Sequence, residues 1–255
     1  MMLKAYGKVN LYLDVIKKRD DGYHDILTLF QSIKEHDIIY VDFSEKEFFE
    51  SEPELSIPWK DNILKQTIEI FKKETGIYDF NLKIKLVKKL PLGGGVGGGS
   101  ADSAALLRFL AKNFNISERD IFDIAKKIGS DVPFLLNGGT AIGRGKGDIL
   151  EYLEPLDINI KLYPMPLRID TKKMYELLDQ QWKEIKHTGD PHLLYCSLKN
   201  KNVEVAKKNA FNVFEQIVFK INPQLQEQKH EIEKEKGTIF ALMSGTGSTI
   251  FRVCE

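Results

Sequence analysis

The chain has few cysteines, no net charge and no long apolar run. Its two cysteines, Cys196 and Cys254, form no CxxC pair and are too few for a disulfide framework. Two free thiols in a reducing compartment are expected. Lysine plus arginine and aspartate plus glutamate number 37 each, so the formal net charge is zero. The basic excess that usually goes with a nucleic-acid or anionic-membrane partner is missing. No stretch nears the ~18 uninterrupted apolar residues of a membrane span. The opening MMLKAYGKVNLYLDV lacks the apolar core and small-residue cleavage site of a secretory leader. A cytoplasmic globular protein is therefore expected. At 255 residues, 42% hydrophobic and 29% charged, the chain suits one large or two modest domains without repeats or low-complexity segments.

Period-two and helical patterns alternate along it. Val9, Leu11, Leu13 and Val15 alternate with Lys8, Asn10, Tyr12 and Asp14, which predicts a strand with one buried face. Lys8 and Asn10 then share the other face. Asp21-Gly22 marks a turn, and strand-like sequence continues from Ile26 to Phe43. Glu45 to Glu54 is acidic and aromatic, as in a surface excursion or irregular edge. Asp61 can cap a helix from Asn62 to Thr75, stopped by Gly76. Phe80, Leu82, Ile84 and Leu86 give another half-buried strand. Ser117, with Asp120 three residues on, starts a helix whose core face is Ile121, Ile124, Ala125 and Ile128 and which Gly129 ends. Asn137 to Gly147 holds five glycines and reads as turns between strands. A strand at Ile158–Tyr163, a helix capped by Thr171 through Trp182, helices between Val203 and Lys236, and strands Thr238–Met243 and Ser248–Val253 complete the chain. Strands and helices without regular alternation predict an α+β protein in two layers.

The strongest chemical signal is Gly93-Gly94-Gly95-Val96-Gly97-Gly98-Gly99-Ser100. Six glycines in seven residues let the backbone turn tightly and approach a ligand closely. The helix that follows, carrying Leu106, Leu107, Leu110 and Phe114, points its free N–H groups and positive dipole end back at the loop, which suits phosphate. A P-loop requires lysine before the serine; Gly99 stands there, so that loop type is excluded. The dinucleotide pattern GxGxxG is met by any dense glycine run, and its strand is normally buried on both faces. Here the strand alternates with lysines. The bland alternative, a flexible linker, fits poorly with a loop bracketed by a strand and a helix.

PLGGGVGGGSADSAA resembles the nucleotide-binding motif of the GHMP kinases, the superfamily of galactokinase and of homoserine and mevalonate kinases. KVNLYLDVIKKRDDGYHDILTLFQSI and GSDVPFLLNGGTAIGRGKGD resemble that superfamily's diphosphocytidyl-methylerythritol kinase branch, and MSGTGSTIFRV resembles the third GHMP motif. The resemblance implies an α+β, two-domain GHMP kinase fold. Residues 1–153 would form an ATP-binding domain like the second domain of ribosomal protein S5, and 154–255 an α/β sandwich domain, with the site in the cleft between them. It implies transfer of the ATP γ-phosphoryl, with Mg²⁺, to a hydroxyl of a small molecule carrying cytidine diphosphate. No nucleic-acid or membrane partner is expected, and the chain would be a monomer or weak homodimer. Asp131 matches the family's catalytic aspartate and Lys8 its catalytic lysine. Pro91, Leu92, Gly93, Gly94, Gly95, Val96, Gly97, Gly98, Gly99, Ser100 and Ala101 would hold the nucleotide, with Asn62 near its adenine-ribose end. Asn10, Tyr23 and His24 would bind substrate, His24 at the cytosine edge, with Phe30 and Tyr175 stacking on the base. No protein metal ligand is assigned; Ser100 is a candidate and Asp102 a weaker one. Ala101 and Ser103 exchange the Ser and Ala of many relatives, which bears on single hydroxyl contacts. His36, His187, His192 and His230 lack ligand spacing and read as surface or structural. The alternatives are another kinase of the superfamily, against which DGYH and Asn10 argue, and a non-catalytic nucleotide- or RNA-binding module, against which neutral charge and the pair Lys8 and Asp131 argue.

Overall fold

The computed structural model describes residues 1–254. In chain order the strands are β1 (Met2–Lys18), β2 (His24–Ser44), β3 (Phe48–Glu52), β4 (Asn81–Val87), β5 (Thr140–Arg144), β6 (Ile149–Leu153), β7 (Asn159–Tyr163), β8 (Phe211–Asn212), β9 (Thr238–Met243) and β10 (Ile250–Cys254). The α-helices are α1 (Ile63–Thr75), α2 (Gly98–Phe114), α3 (Glu118–Ile128), α4 (Val132–Asn137), α5 (Thr171–Gln180), α6 (Pro191–Lys199), α7 (Val203–Asn209), α8 (Glu215–Ile221) and α9 (Pro223–Glu233). No described helix is long and apolar enough to cross a membrane.

Two compact units emerge, each discontinuous in sequence. The first comprises residues 1–7, 33–92 and 97–138. In it the second half of β2 pairs antiparallel with β4, from Ile38 opposite Val87 to Ser44 opposite Asn81. β3 adds to the other edge of β4 in parallel. Leu82, Ile84 and Leu86 of β4 are buried while Asn81 and Lys83 face outward, as period two demands. Helix α2 packs against α1, α3 and α4, burying Leu106, Leu107 and Leu110. Phe71, Phe80 and Phe114 form a ring cluster with centroids 4.9–6.1 Å apart. Gly76, left-handed at φ +72°, ends α1. Ser117 caps α3, its Oγ accepting from the Asp120 N–H at 3.2 Å.

The second unit comprises residues 8–32, 93–96 and 139–255, so residue 153 lies within it. Here β1 meets β8 in parallel at Tyr12–Phe211 and Leu13–Asn212. The first half of β2 pairs antiparallel with β5, and β5 with β6. A separate antiparallel sheet runs β7-β10-β9. Leu13, Val15, Met174, Leu178, Phe214 and Ile217 belong to its core.

Several local expectations are corrected. β1 is buried on both faces from Gly7 to Val15 rather than on one, because hydrogen-bonding partners cover its polar face. Asn62, not Asp61, caps α1, its Oδ1 accepting from the Leu64 N–H at 2.9 Å. Asp61 is used up by a 3₁₀ turn, Trp59–Asp61. Asp170 rather than Thr171 caps α5, which ends at Gln180 and leaves Trp182 in a 3₁₀ turn. The glycine-rich stretch contains strand β5, because Gly143 leaves room for the Phe30 ring: a methyl there would lie 2.7 Å from Phe30 Cε2. Helix α6 has no counterpart among the elements that the sequence pattern predicts.

Candidate active site

The glycine run divides between the units at Val96 and Gly97. In the first unit, Gly97 stands at the N-cap of α2 with φ +70° and offers no side chain to the helix. The first intrahelical bond is Ala101 N–H to the Gly97 carbonyl, at 2.8 Å. The N–H groups of Gly98, Gly99 and Ser100 precede it and lie beyond reach of the helix's own carbonyls. With the helix dipole behind them they suit an anion. Pro91 is half-buried, Leu92 exposed and Ala101 buried.

In the second unit, Gly93 to Val96 is held by its carbonyls. Gly94 O accepts from the Thr249 N–H (3.2 Å) and Val96 O from the Lys8 N–H (2.9 Å). Gly95 O accepts from Ser244 Oγ (2.9 Å) and from Lys8 Nζ (3.2 Å). A methyl on Gly95 would lie 2.0 Å from the Ser244 carbonyl oxygen, and Gly95 has φ +77°. Only glycine fits. The Ser-Gly-Thr-Gly turn after β9 is thus the dock for this segment, a role that the motif's sequence alone did not reveal.

Lys8 is 4% exposed. Its ammonium donates to Asn10 Oδ1 at 2.8 Å, besides Gly95 O, and sits 5.6 Å from the Phe30 ring centroid. Asn10 Nδ2 donates to Thr28 Oγ1 (2.8 Å), and that hydroxyl donates to the Tyr12 carbonyl (2.7 Å). A polar chain therefore runs from the glycine segment into the core, and Lys8 and Asn10 share a face as the sequence predicts. Thr28 was not among the sequence candidates. Phe30 is 1% exposed, so its ring has no open face for a base; it packs between Lys8 and Gly143. Asp131 belongs to the first unit, at the N-cap of α4 with Pro133 at the helix start, and makes no side-chain capping bond.

At the turn after β1, Tyr23 is 60% exposed, with Lys146 Nζ 4.5 Å from its ring centroid. His24 is buried and lies 4.7 Å from the Tyr175 ring at a 30° tilt. Tyr175 in turn meets Phe214 edge-on at 4.8 Å. His24 Nε2 is 2.7 Å from Asp179 Oδ1, and Lys18 Nζ is 2.6 Å from Asp179 Oδ2. Asp179, two turns from the Asp170 cap on α5, carried no sequence signal. His187, read as surface or structural, bonds Asp14 through Nδ1 at 2.9 Å.

Beside the start of α2, within the first unit, Lys88 Nζ lies 2.5 Å from Asp37 Oδ2 and 2.7 Å from Asp102 Oδ2. Asp37 Oδ1 also accepts from the Lys89 and Leu90 N–H groups. One ammonium here faces two carboxyls, and Asp102 Oδ1 is buried without a hydrogen-bond partner. Burial, helped by the Asp37 charge and opposed by Lys88, pushes the Asp102 carboxyl up to about 7. For Lys88, burial pulls its pKa down, but the two carboxylates outweigh it and hold it above its ordinary value. Asp102 thus spends Oδ2 on Lys88. Among the described residues no three carboxylate, histidine or cysteine side chains converge as a metal cage. Asn62 is likewise occupied at Oδ1 by its cap bond.

Residues 62–139 match the N-terminal domain model of the GHMP kinases. A protein of Petrotoga mobilis named 4-diphosphocytidyl-2-C-methyl-D-erythritol kinase is 67% identical over 253 residues, covering 99% of this chain and 98% of that one. The chain belongs to the 4-diphosphocytidyl-2-C-methyl-D-erythritol kinase family, within the GHMP kinases. It is accordingly an ATP-dependent phosphotransferase. The Thermotoga maritima protein of the same name is 39% identical over 250 residues, covering 98% of this chain and 90% of its own. A crystal structure of 4-(cytidine 5'-diphospho)-2C-methyl-D-erythritol kinase superposes with TM-score 0.81 at 28% identity, covering 100% of this chain and 90% of that chain. The α+β GHMP kinase fold expected from sequence is thus the fold observed.

Proposed function

We propose that this kinase transfers the γ-phosphoryl of ATP to the 2-hydroxyl of 4-diphosphocytidyl-2-C-methyl-D-erythritol, giving the 2-phosphate and ADP, a step of the methylerythritol phosphate route to isoprenoid precursors. The observation that carries the assignment of roles is the buried Lys8 ammonium, joined at once to Asn10 and to the Gly95 carbonyl of the glycine segment. A cation fixed against a phosphate-binding loop is what phosphoryl transfer uses to neutralise charge.

In this reading the N–H groups of Gly98, Gly99 and Ser100 receive nucleotide phosphate, and Asn62 contributes near the adenine-ribose end through the amide nitrogen that its capping bond leaves out. Asp131 orients the substrate hydroxyl and takes up its proton. Asn10, locked by Thr28, positions the substrate beside Lys8. His24, Tyr23 and Tyr175 receive the cytosine, with Phe30 supporting Lys8 from below. Mg²⁺ accompanying ATP would be held mainly by nucleotide phosphate and water, with the Ser100 hydroxyl as the loop's candidate protein ligand, and would neutralise phosphate charge. The kinase works in the cytoplasm, as a monomer or weak homodimer. The test is ADP release from ATP and Mg²⁺ with and without the cytidine-linked substrate, in the native chain and in Asp131→Ala. Substrate-dependent release that collapses in the variant is expected. No release from folded native protein overturns the substrate assignment.

A further inference from the structure

The side chain of His24 can read a base in two opposite ways. An imidazole nitrogen that carries hydrogen donates; one that does not accepts. Which nitrogen is which is set by the partner of the other. Here that partner is Asp179, 2.7 Å from Nε2. Burial works to raise the Asp179 carboxyl, but the hydrogen bonds and charges of Lys18 and His24 outweigh it and hold it below its ordinary value. Asp179 is therefore an anion with only acceptor sites. Nε2 therefore donates to Asp179, and a ring that carries only this hydrogen keeps the Nδ1 lone pair as an acceptor. Among the described residues Nδ1 has no hydrogen-bond partner, while Tyr175 at 4.7 Å limits the tilt of the ring.

From this geometry we infer that Asp179 is a positioning residue that fixes His24 as a hydrogen-bond acceptor at Nδ1 and so makes the pocket select a cytosine over a uracil. The inference rests on the reading that His24 meets the base edge. Cytosine offers an exocyclic amine there, and an Nδ1 lone pair receives it. Uracil offers a carbonyl oxygen at the same place, and two acceptors then face each other. The two pyrimidines have nearly the same size and stack alike, so stacking on Tyr23 or Tyr175 cannot separate them. Lys18 has a supporting part: it is 2.6 Å from the other Asp179 oxygen and keeps that carboxylate ionised and oriented.

Asp179→Asn tests the inference, because an amide can turn its NH₂ toward Nε2 and release the opposite tautomer. CDP and UDP serve as probes, each as a competitor of the substrate. The native chain is expected to prefer CDP by roughly ten- to a hundredfold, the usual discrimination of one good polar base contact. In Asp179→Asn that ratio should fall by about tenfold or more. KM for the cytidine substrate should rise while kcat changes little, and Asp179→Glu should recover part of the preference. ¹⁵N NMR of the native protein should show His24 protonated at Nε2 and bare at Nδ1. Full CDP preference in Asp179→Asn, or a native Nδ1 that carries hydrogen, overturns the inference and leaves the catalytic reading intact. His24→Ala is measured beside it. Unchanged CDP affinity in that variant would instead overturn the placement of His24 at the base, and the inference with it.

Discussion

Replacing Asp102 by asparagine should change how stability depends on pH, and the structure fixes both sign and size. Asp102 shares Lys88 with Asp37, so one positive charge serves two carboxyls. The second negative charge has no partner of its own, and Asp102 Oδ1 is buried with no hydrogen bond. In the fold the carboxyl is pushed up to about 7 from an ordinary 3.8. A carboxyl raised on folding binds its proton more tightly in the native state. Its contribution is fully present below the unfolded value and is lost as pH rises from there to the folded value. The slope is about 1.4 kcal/mol per pH unit. Across the window from about pH 4 to about pH 7 the native chain should therefore lose on the order of 4 kcal/mol that Asp102→Asn does not lose. The amide oxygen keeps the bond to Lys88. Its NH₂ is left where Oδ1 now stands, buried without an acceptor, at a cost of about 1–3 kcal/mol. The variant should be the less stable protein near pH 4 and the more stable one above pH 7. Urea unfolding of both proteins at steps across that window measures the difference. A difference that stays constant with pH refutes the argument that Asp102 holds a proton in the fold.

Three other outcomes follow from close contacts. Gly95→Ala places a methyl 2.0 Å from the Ser244 carbonyl oxygen at φ +77°; it should lower kcat/KM by about a hundredfold or more while far-ultraviolet circular dichroism stays native, and near-native kinetics would remove Ser244 from the loop's support. Gly143→Ala brings a methyl to 2.7 Å from Phe30; it should cost about 1–3 kcal/mol, seen as a lower midpoint in thermal unfolding. Thr28→Val removes the hydroxyl between Asn10 and the Tyr12 carbonyl; it should cost about 1–3 kcal/mol through the stranded Asn10 amide and raise KM for the substrate, whereas Thr28→Ser should restore both.

The parts of the fold that could be read from the chain are those where one residue type meets one physical need. Gly76 ends α1 because a left-handed residue is required there, and Ser117 with Asp120 starts α3 because the helix's free N–H groups need an acceptor. Where two neighbours can meet the same need, the pattern leaves the choice open. Asp61 and Asn62 can both cap, and the 3₁₀ turn at Trp59 settles it for Asn62. Asp170 and Thr171 pose the same ambiguity. Contacts across long separations left no local mark. Asp179 follows His24 by 155 residues, and Ser244 follows Gly95 by 149. The roles proposed for Lys8 and Asp131 rest on likeness to a family, since an isolated lysine on an alternating strand reads as solvated. That alternation was correct and its interpretation was not. Period two says that two faces differ; it does not say that the polar one is wet.

β1 shows why such a face is retained. From Lys8 to Asp14 every second residue is polar and nearly inaccessible. A strand buried on both faces is ordinarily apolar throughout, and each buried polar group destabilises the fold unless it is hydrogen-bonded. The bonds are therefore made in sequence. Lys8 donates to Asn10, Asn10 to Thr28, and Thr28 to the backbone of β1 itself. Asp14 accepts from the Val15 N–H and from His187. Once complete, this chain holds the Lys8 ammonium in one orientation against the Gly95 carbonyl, and a group so fixed needs little reorganisation when charge develops beside it. Apolar replacement of the whole row would leave the strand's packing intact and, on the proposed reading, remove activity. Replacement of one member would strand its neighbours, so the cost of single substitutions along this face should exceed what their individual bonds suggest.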